Sequence, residues 1–205
     1  MDLRNFSATE IDGMTKPFRR NLINSLSGYK SANLVGTQSD EGQTNLAIFS
    51  SIHHIGANPP LLGMIVRPAT VPRHSYENIL KNSYYTINHI SRDIFQQSHQ
   101  TSARYERAQS EFDGSGLTKW YSGNIPVPYV EEAPVKIGMK LEEIHKIRAN
   151  QTVMVVGRIM ETILPDRAIR PDGTVELEKL GVVAVSGLDT YHLPQKLASM
   201  PYAKP

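Results

Sequence analysis

Cysteine is absent from this 205-residue sequence. Its absence excludes disulfides, thiolate metal ligands, iron–sulfur clusters and a cysteine nucleophile, so redox chemistry here needs a bound cofactor. Long apolar runs are absent too, because no window approaches the roughly 18 apolar residues of a membrane span. The opening residues Met1–Asn5 lack the basic and then apolar stretch of an export signal. We therefore expect a soluble, cytoplasmic protein with no membrane partner.

An excess of one charge is also missing, since 22 Lys and Arg face 20 Asp and Glu for a formal net charge of +2. Binding of a polyanion by counterion release needs a basic excess, so we expect no nucleic-acid partner. With 40% hydrophobic residues, 14 Gly and 13 Pro, the composition is that of a globular chain. The length suits one domain with a single core.

Short apolar runs separated by turn residues recur along the chain and predict a mainly β fold. The predicted strands are 32–36, 45–49, 61–66, 84–90, 137–141, 153–159 and 182–185. Glu142–Glu143 breaks the alternation of its strand and predicts a β-bulge. A short helix is predicted over 75–81, with Ser75 as its cap. Many strands with few, short helices favour a closed sheet, because closure removes open edges.

Several familiar motifs are missing. No G-x-G-x-x-G, G-x-x-x-x-G-K or G-x-S-x-G occurs, which leaves the usual dinucleotide cradle, nucleotide cradle and hydrolase elbow unsupported. None of the seven histidines has the helical spacing of a zinc peptidase. His53 and His54, adjacent on a strand, point to opposite faces. We expect no metal site.

The most informative stretch ends a strand in Ser50 and Ser51, and a following loop carries Arg73, His74 and Ser75 at the start of a helix. Hydroxyls, freed backbone amides and a guanidinium all donate to phosphate oxygens, so this place would suit a phosphate group. The alternative is that the serines satisfy backbone groups at the strand end and that Arg73 is a solvated cation.

The same blocks carry a resemblance to a known family. Asn45, Ser50–Ser51, Asn58-Pro59-Pro60, Arg67–Pro68 and the helix start at Arg73 resemble the flavin reductase-like, FMN-binding split-barrel family. Further blocks follow in the same order as in that family: 98–103, 110–118 and 187–191. The likeness runs from about Leu34 to Tyr191. It implies one domain over 1–205 with a core of about 30–192.

For the fold, the resemblance implies a Greek-key split β-barrel with a few short helices that forms a homodimer. FMN would lie near the subunit interface, with NADH or NADPH as co-substrate. No protein nucleophile is expected, because the flavin carries the chemistry. The cofactor-binding residues that it implies are Asn45, Leu46, Ala47, Ile48, Phe49, Ser50, Ser51, Arg67, Arg73, His74, Ser75, His99, Thr101 and Ser102.

Within that set, the strand from Asn45 to Ser51 would follow the ring and the ribityl chain. The segment with His99, Thr101 and Ser102 would close over the site, from either subunit. His99 is a weak candidate proton donor, and a hydrogen-bonding bystander is the favoured interpretation. Glu111 and Asp113 are interpreted as residues that cap and solvate a turn.

The resemblance leads to two functional hypotheses. The first is an enzyme that moves hydride from NAD(P)H onto flavin N5 and passes electrons to free flavin or another small acceptor, with a monooxygenase as a conceivable partner. The second is a non-catalytic FMN-binding or electron-carrier protein of the same fold. A relative that oxidises pyridoxamine phosphate or handles haem is less favoured by the blocks present.

Overall fold

Strands form most of the regular structure in the computed structural model, which describes residues 2–68 and 70–204. The outer bounds of the expected domain, residues 1 and 205, lie outside this range. The strands are β1 (Lys30–Ser31), β2 (Asn33–Gln38), β3 (Thr44–Phe49), β4 (Ile52–Ala57), β5 (Pro60–Val66), β6 (Tyr84–His89), β7 (Lys119–Trp120), β8 (Tyr129–Val130), β9 (Lys136–Ile147), β10 (Thr152–Ile163), β11 (Ala184–Ser186) and β12 (Thr190–His192). The α-helices are α1 (Ala8–Gly13), α2 (Lys16–Leu26), α3 (His74–Asn82), α4 (Phe95–Gln100) and α5 (Glu111–Ser115), and 3-10 turns occupy Asp166–Ala168 and Leu177–Leu180.

Seven strands form one antiparallel sheet in the order β3-β2-β6-β9-β10-β5-β4. Its two edges, β3 and β4, are consecutive in the chain and are joined only through Ser50 and Ser51. Within the described residues no ladder joins them, so the sheet is split rather than closed. The expected mainly β split barrel is therefore confirmed, and the fully closed sheet expected from strand number alone is wrong.

The interior of the barrel is filled by alternate residues of its strands. Ile137, Met139, Val153 and Val155 are buried in one cluster with side chains from β2, β5 and β6, and Leu141 packs against it. Since the side chains of a strand alternate between faces, this period-two pattern marks the inner face from sequence alone. Ile137, Met139, Val153 and Val155 therefore face the barrel interior.

The predicted bulge lies on β9. Val156 pairs with Glu143 and the next residue, Gly157, pairs with Leu141, so Glu142 is the extra residue. A bulge places one additional residue on its strand and bends the ladder locally. The break in the alternating pattern at Glu142–Glu143 therefore corresponds to a β-bulge in the β9–β10 hairpin.

The start of α3 differs from the prediction. The helix begins at His74, Arg73 occupies the cap position without a side-chain cap bond, and Ser75 lies inside the first turn. The Ser75 hydroxyl contacts Asn45 on β3 instead of a backbone amide of its own helix. A tertiary partner therefore replaced the local capping bond that the sequence suggested.

The loop around Trp120 is anchored to the end of β10. Three donors converge on the Glu161 carboxylate: the hydroxyls of Ser122 and Tyr129 and the amide of Asn124. The ring of Trp120 lies 5.7 Å from that of Tyr129, which is fully buried. The only tryptophan of the chain thus packs as part of a loop anchor.

Among the helices of the described residues, we find none with the length and apolarity that a bilayer crossing requires.

Candidate functional site

The N-terminus of α3 presents backbone amides without acceptors. The N–H groups of His74, Ser75 and Tyr76 precede the first intrahelical bond and have no acceptor among the residues that the structure describes. The first N–H groups of a helix carry its positive dipole end and suit an anion. This end of α3 can therefore bind a phosphate group.

Arginines surround the same helix start. Partial burial, together with the positive charges of Arg67 and Arg104, lowers the pKa of the Arg73 guanidinium from its ordinary value. An arginine remains protonated at neutral pH despite such a shift, so three cations face one another here. Arg73 is held in place by donation from its Nε to the carbonyl oxygen of Pro68 at 3.2 Å. Like charges at close range favour a bound anion.

One carboxylate lies at this helix start as well. Glu77 accepts a hydrogen bond from the backbone N–H of Arg73 at 3.0 Å and pairs with Arg107. Burial, and secondarily the charge of Arg107, lowers the pKa of His74, so this imidazole is neutral near pH 7. Because Arg107 pairs with Glu77, it offsets the charge of that carboxylate. Arg67, Arg73 and Arg104 then leave the start of α3 with a positive potential.

Strand β3 is joined to α3 and α5 by a buried polar network. The side-chain amide of Asn45 lies 2.9 Å from the Ser75 hydroxyl oxygen, and both residues are buried. The backbone N–H of Leu46 donates to the Glu111 carboxylate at 2.8 Å. Nearby, the hydroxyls of Thr44 and Ser110 are 2.8 Å apart. Asn45 and Ser75, two of the predicted cofactor-binding residues, are therefore in direct contact.

The open edge of β3 offers backbone groups further along. Because the Leu46 N–H points away from β2 and directions alternate along an antiparallel strand, the N–H and C=O of Ile48 also point outward. The Ile48 amide has no acceptor among the described residues. Ala47 and Phe49 use their backbone groups toward β2, so on this part of the edge Ile48 offers a free donor to a ligand.

Ser50 and Ser51 stand at the split between the two sheet edges. The Ser51 hydroxyl donates to the carbonyl of Ile65 at 2.9 Å and accepts from the same residue's N–H at 3.2 Å. The Ser51 hydroxyl therefore joins the β3–β4 link to β5. This is the alternative role given above, in which a serine satisfies backbone groups at the strand end. Ser50 is half-buried and lies in the link itself.

The predicted residues His99, Thr101 and Ser102 lie at the end of α4 and just after it. His99 is exposed, with its Nδ1 3.1 Å from the Tyr191 hydroxyl, and burial raises the pKa of Tyr191 to about 12. Thr101 is buried and its hydroxyl donates to the Ser98 carbonyl at 2.8 Å, whereas Ser102 is exposed. The segment after α4 brings Arg104 near Arg73 and Arg107 to Glu77.

The sequence interpretation missed three participants: Arg104, Arg107 and Glu111. The arginines follow the block 98–103 in a polar stretch, but nothing in their spacing shows that they reach α3. Glu111 was assigned to a turn, whereas it is 7% exposed and bonded to β3. The one sequence signal of its burial was its position next to the large apolar residue Phe112.

Two cavities of about 290 and 380 Å³ lie away from these residues. The first lies between α2 and the turn 186–190, and the second lies between residues 29–33, His89 and residues 194–196. The residues at the start of α3 line neither of them. Within the described ranges, no group of three or more His, Asp or Glu side chains could hold a metal ion.

Comparison with known proteins identifies the class. The model of the flavin reductase like domain family matches residues 28–175. A crystal structure from Shewanella frigidimarina NCIMB 400, provisionally assigned as a flavin reductase with a split barrel domain, is 47% identical with a TM-score of 0.94, covering 98% of this chain and 100% of that one. The chain therefore belongs to the flavin reductase-like family, a family of flavin-handling oxidoreductases.

More distant structures share the fold. Nitrilotriacetate monooxygenase component B from Bacillus cereus is 19% identical with a TM-score of 0.85, over 98% of this chain and 100% of that one. An FMN-binding protein from Thermus thermophilus is 17% identical with a TM-score of 0.74, over 97% and 100%. A curated relative from Aquifex aeolicus, itself uncharacterized, is 28% identical over 109 residues, which span 52% of this chain and only 56% of that relative.

Proposed function

We propose that this protein is an FMN-dependent oxidoreductase that takes hydride from NADH or NADPH and passes the electrons to free flavin or another small acceptor. The observation that carries the proposal is the α3 N-terminus, where free amides meet Arg73 beside Arg67 and Arg104. Family membership supplies the flavin, and this cluster supports the mononucleotide form, whose single phosphate needs one compact anion site.

The donor set fits that phosphate. The guanidinium of Arg73 donates in a planar fork, and helix amides donate along the axis of α3, so two kinds of donor converge from different directions. Ser75 lies in the same turn, and Arg67 adds charge from the end of β5. Ser50 and His74 complete the proposed contacts with the phosphate and the ribityl chain, while the Ser51 hydroxyl is bonded to Ile65 and holds the link between the sheet edges in place.

The edge of β3 would hold the ring system. The free Ile48 amide can donate to a carbonyl or ring nitrogen of the flavin, while Asn45, Ala47 and Phe49 shape the wall beside it. When bound, the flavin supplies the redox chemistry by accepting hydride at N5, which develops negative charge around N1 and the C2 carbonyl. The contribution of the chain is to orient the ring, donate to that charge and leave one ring face open.

A second copy of this chain would complete the site. Ser50, Arg73 and His74 are only half-buried in one chain, and productive hydride transfer needs a site that excludes water. We propose a homodimer, with His99 of α4 and the following Thr101 and Ser102 near the covered ring, and one domain spanning the chain. A monooxygenase that consumes the reduced flavin is the proposed partner, by analogy with component B of the nitrilotriacetate system. A cytoplasmic location stays a prediction.

The first test is the absorbance spectrum of the purified protein before and after addition of FMN. We expect a flavin spectrum at one FMN per chain and a dissociation constant at or below the micromolar range. A colourless protein that takes up no added FMN would overturn the proposal.

A second measurement separates the enzyme from the electron carrier. The FMN-loaded protein is mixed anaerobically with NADH and, separately, with NADPH. Bleaching of the flavin absorbance within seconds by either nucleotide supports the reductase. Colour that persists with both, but disappears with dithionite, would assign the carrier function instead.

A further inference from the structure

Glu111 is a buried acid next to the phosphate end of the proposed site. It is 7% exposed, and its Oε2 accepts from the backbone N–H of Leu46 at 2.8 Å. Its other oxygen, Oε1, lies 3.3 Å from the side-chain amide of Asn45, which in turn lies 2.9 Å from the Ser75 oxygen. An acid, an amide and a hydroxyl therefore stand in one chain of contacts.

The Asn45 amide can take two orientations on the same heavy-atom positions. They differ in which Asn45 atom faces Ser75 and lies 3.2 Å from Leu46 N, the oxygen in one and the nitrogen in the other, while Leu46 N keeps its bond to Glu111 in both. With Glu111 ionised, the Asn45 nitrogen faces Oε1, and the Asn45 oxygen accepts from the Ser75 hydroxyl at 2.9 Å and from Leu46 N at 3.2 Å. The Ser75 proton is then committed to Asn45. A carboxylate can only accept, so it imposes this amide orientation.

A proton on Glu111 reverses the direction. The protonated carboxyl donates to the Asn45 oxygen, the Asn45 nitrogen donates to the Ser75 oxygen at 2.9 Å, and the Ser75 proton becomes free. A free hydroxyl on the first turn of α3 can donate to an anion there. The amide of Asn45 thus transmits the protonation state of Glu111 to the hydroxyl of Ser75.

We propose that Glu111 is a positioning residue for phosphate binding, which acts through the Asn45 amide to set the donor direction of the Ser75 hydroxyl. The inference rests on the proposed FMN function and deepens it. FMN binding favours the protonated arrangement, so by linkage FMN binding promotes proton uptake at Glu111. Affinity for FMN is then greatest below the pKa of Glu111 and falls as pH rises through it.

The surroundings of Glu111 are consistent with proton uptake. Burial raises the pKa of this carboxyl, against the opposing effect of the hydrogen bond from Leu46. Strand β3 carries no titratable side chain. The other titratable or charged side chains on α5 and on the helices packed beside it or beside β3 are Asp113, His99, His74, Tyr76, Glu77 and Lys81. Asp113 pairs with Lys119 at 3.3 Å, and none of the six is hydrogen-bonded to Glu111 among the described residues.

The substitution Glu111→Gln imitates the protonated state, because its amide nitrogen donates to Asn45 and its oxygen accepts from Leu46 N. We expect this variant to bind FMN more tightly than the unsubstituted protein, by up to about tenfold above pH 7, since one hydrogen bond to a charged group is gained. Fluorescence quenching of FMN from pH 5 to 9 measures both proteins. The titration of the FMN phosphate itself is common to both, so the ratio of the two constants isolates Glu111.

Glu111→Gln also removes a buried negative charge, which would by itself strengthen FMN binding. The Ser75→Ala background separates this charge effect from the effect that passes through the Ser75 hydroxyl. In that background we expect the effect of Glu111→Gln on FMN affinity to shrink and lose its pH dependence. Ser110→Ala is the matched control, because it breaks the neighbouring contact between α5 and β3 and leaves Asn45 untouched. A ratio that is constant with pH, or unchanged by Ser75→Ala, would overturn the inference.

Two further measurements need no substitution of Glu111. Calorimetry of FMN binding at pH 8 in buffers of different ionisation enthalpy should show proton uptake that Ser75→Ala reduces, and equal uptake in both proteins contradicts the inference. If the protein binds no FMN, the proposed function fails. The NMR signal of the Asn45 side-chain amide then tests by itself whether protonation of Glu111 reorients that amide. A pH-dependent step in that ¹⁵N shift supports it, and a flat profile overturns it.

Discussion

The Ser75 hydroxyl and the side-chain amide of Asn45 lie 2.9 Å apart, and this contact joins the first turn of α3 to the edge strand β3. The two residues are thirty positions apart in sequence. Strand β3 would hold the flavin ring, and the start of α3 would hold its phosphate. The contact therefore fixes the relative position of the two halves of the proposed site.

Removal of the Ser75 hydroxyl should weaken FMN binding. Ser75→Ala deletes a donor at the α3 N-terminus and leaves Asn45 with an unpaired buried group, so we expect an affinity loss of roughly 2- to 12-fold, the worth of one hydrogen bond. Ser75→Thr keeps the hydroxyl and is the matched control. Fluorescence titration with FMN and with riboflavin measures the effect. An equal loss for riboflavin, which lacks the phosphate, would contradict the assignment.

Arg73 should matter for binding more than for hydride transfer. Arg73→Ala removes a charged donor, so the FMN dissociation constant should rise roughly 10- to 100-fold, while the reduction rate of the loaded protein changes far less. Stopped-flow reduction at saturating FMN separates the two quantities. Arg92→Ala, which removes an exposed arginine beside Asp93, is the control. Unchanged FMN affinity in Arg73→Ala would remove this residue from the site.

Gly36 should tolerate no side chain. A Cβ at this position in β2 would meet the Pro128 carbonyl oxygen and the Thr86 hydroxyl, which are held by their own hydrogen bond. We expect Gly36→Ala to lower the free energy of unfolding by about 3 kcal/mol, as overpacking does. Gly13→Ala, at a helix position with nothing within 4 Å, should change it by less than about 1 kcal/mol. Urea unfolding measures both, and equal effects would refute the packing argument.

The Glu161 anchor should give stability that depends on pH. Burial acts to raise the pKa of Glu161, but hydrogen bonds from Ser122, Tyr129 and Asn124 outweigh it, and the net shift is downward. A lowered pKa means stability that is present above the unfolded value of about 4.3 and lost as pH falls through the folded value.

Tyr129→Phe tests this anchor, since its hydroxyl donates to Glu161 at 2.6 Å. We expect it to cost about 1–2 kcal/mol of unfolding free energy at pH 7 and less below pH 4. Tyr84→Phe is the control, because the Tyr84 hydroxyl makes no hydrogen bond with a residue that the structure describes. Chemical unfolding at several pH values provides the comparison, and a cost that stays constant down to pH 3 would contradict the argument.

Local patterns predicted the elements well where a single strand face or a turn decides the conformation. The hairpin of β2 and β3 follows from two apolar runs around Asp40 and Gly42, and the bulge at Glu142 follows from a break in period two. The predicted cap of α3, Ser75, was wrong by two residues, since Arg73 occupies the cap position. The Ser75 hydroxyl contacts Asn45 instead of a backbone amide of its own helix. That contact depends on a strand thirty residues away.

The candidate site also has a part that local sequence predicted and a part that depends on tertiary contacts. Hydroxyls, an arginine and a helix start in adjacent positions indicated an anion site, and Arg73 and Ser75 are near neighbours in the chain. The roles of the fourteen predicted cofactor-binding residues stay predictions until FMN binding is measured. Arg104, Arg107 and Glu111 were missed, because their contacts with α3 and β3 form only when α4 and α5 fold back over the sheet.

The sequence by itself determined the chemistry available to this protein: no thiol, no nucleotide cradle, a mainly β chain, and hydroxyls with an arginine at a helix start that would suit an anion. These properties depend on residue type, on period-two alternation and on neighbours within one turn or hairpin. Only the tertiary structure decided where the sheet splits, which carboxylate is buried beside Asn45, and which arginines lie near Arg73 at the start of α3. Those outcomes depend on distances between residues far apart in the chain, and such distances are set by packing of the whole fold.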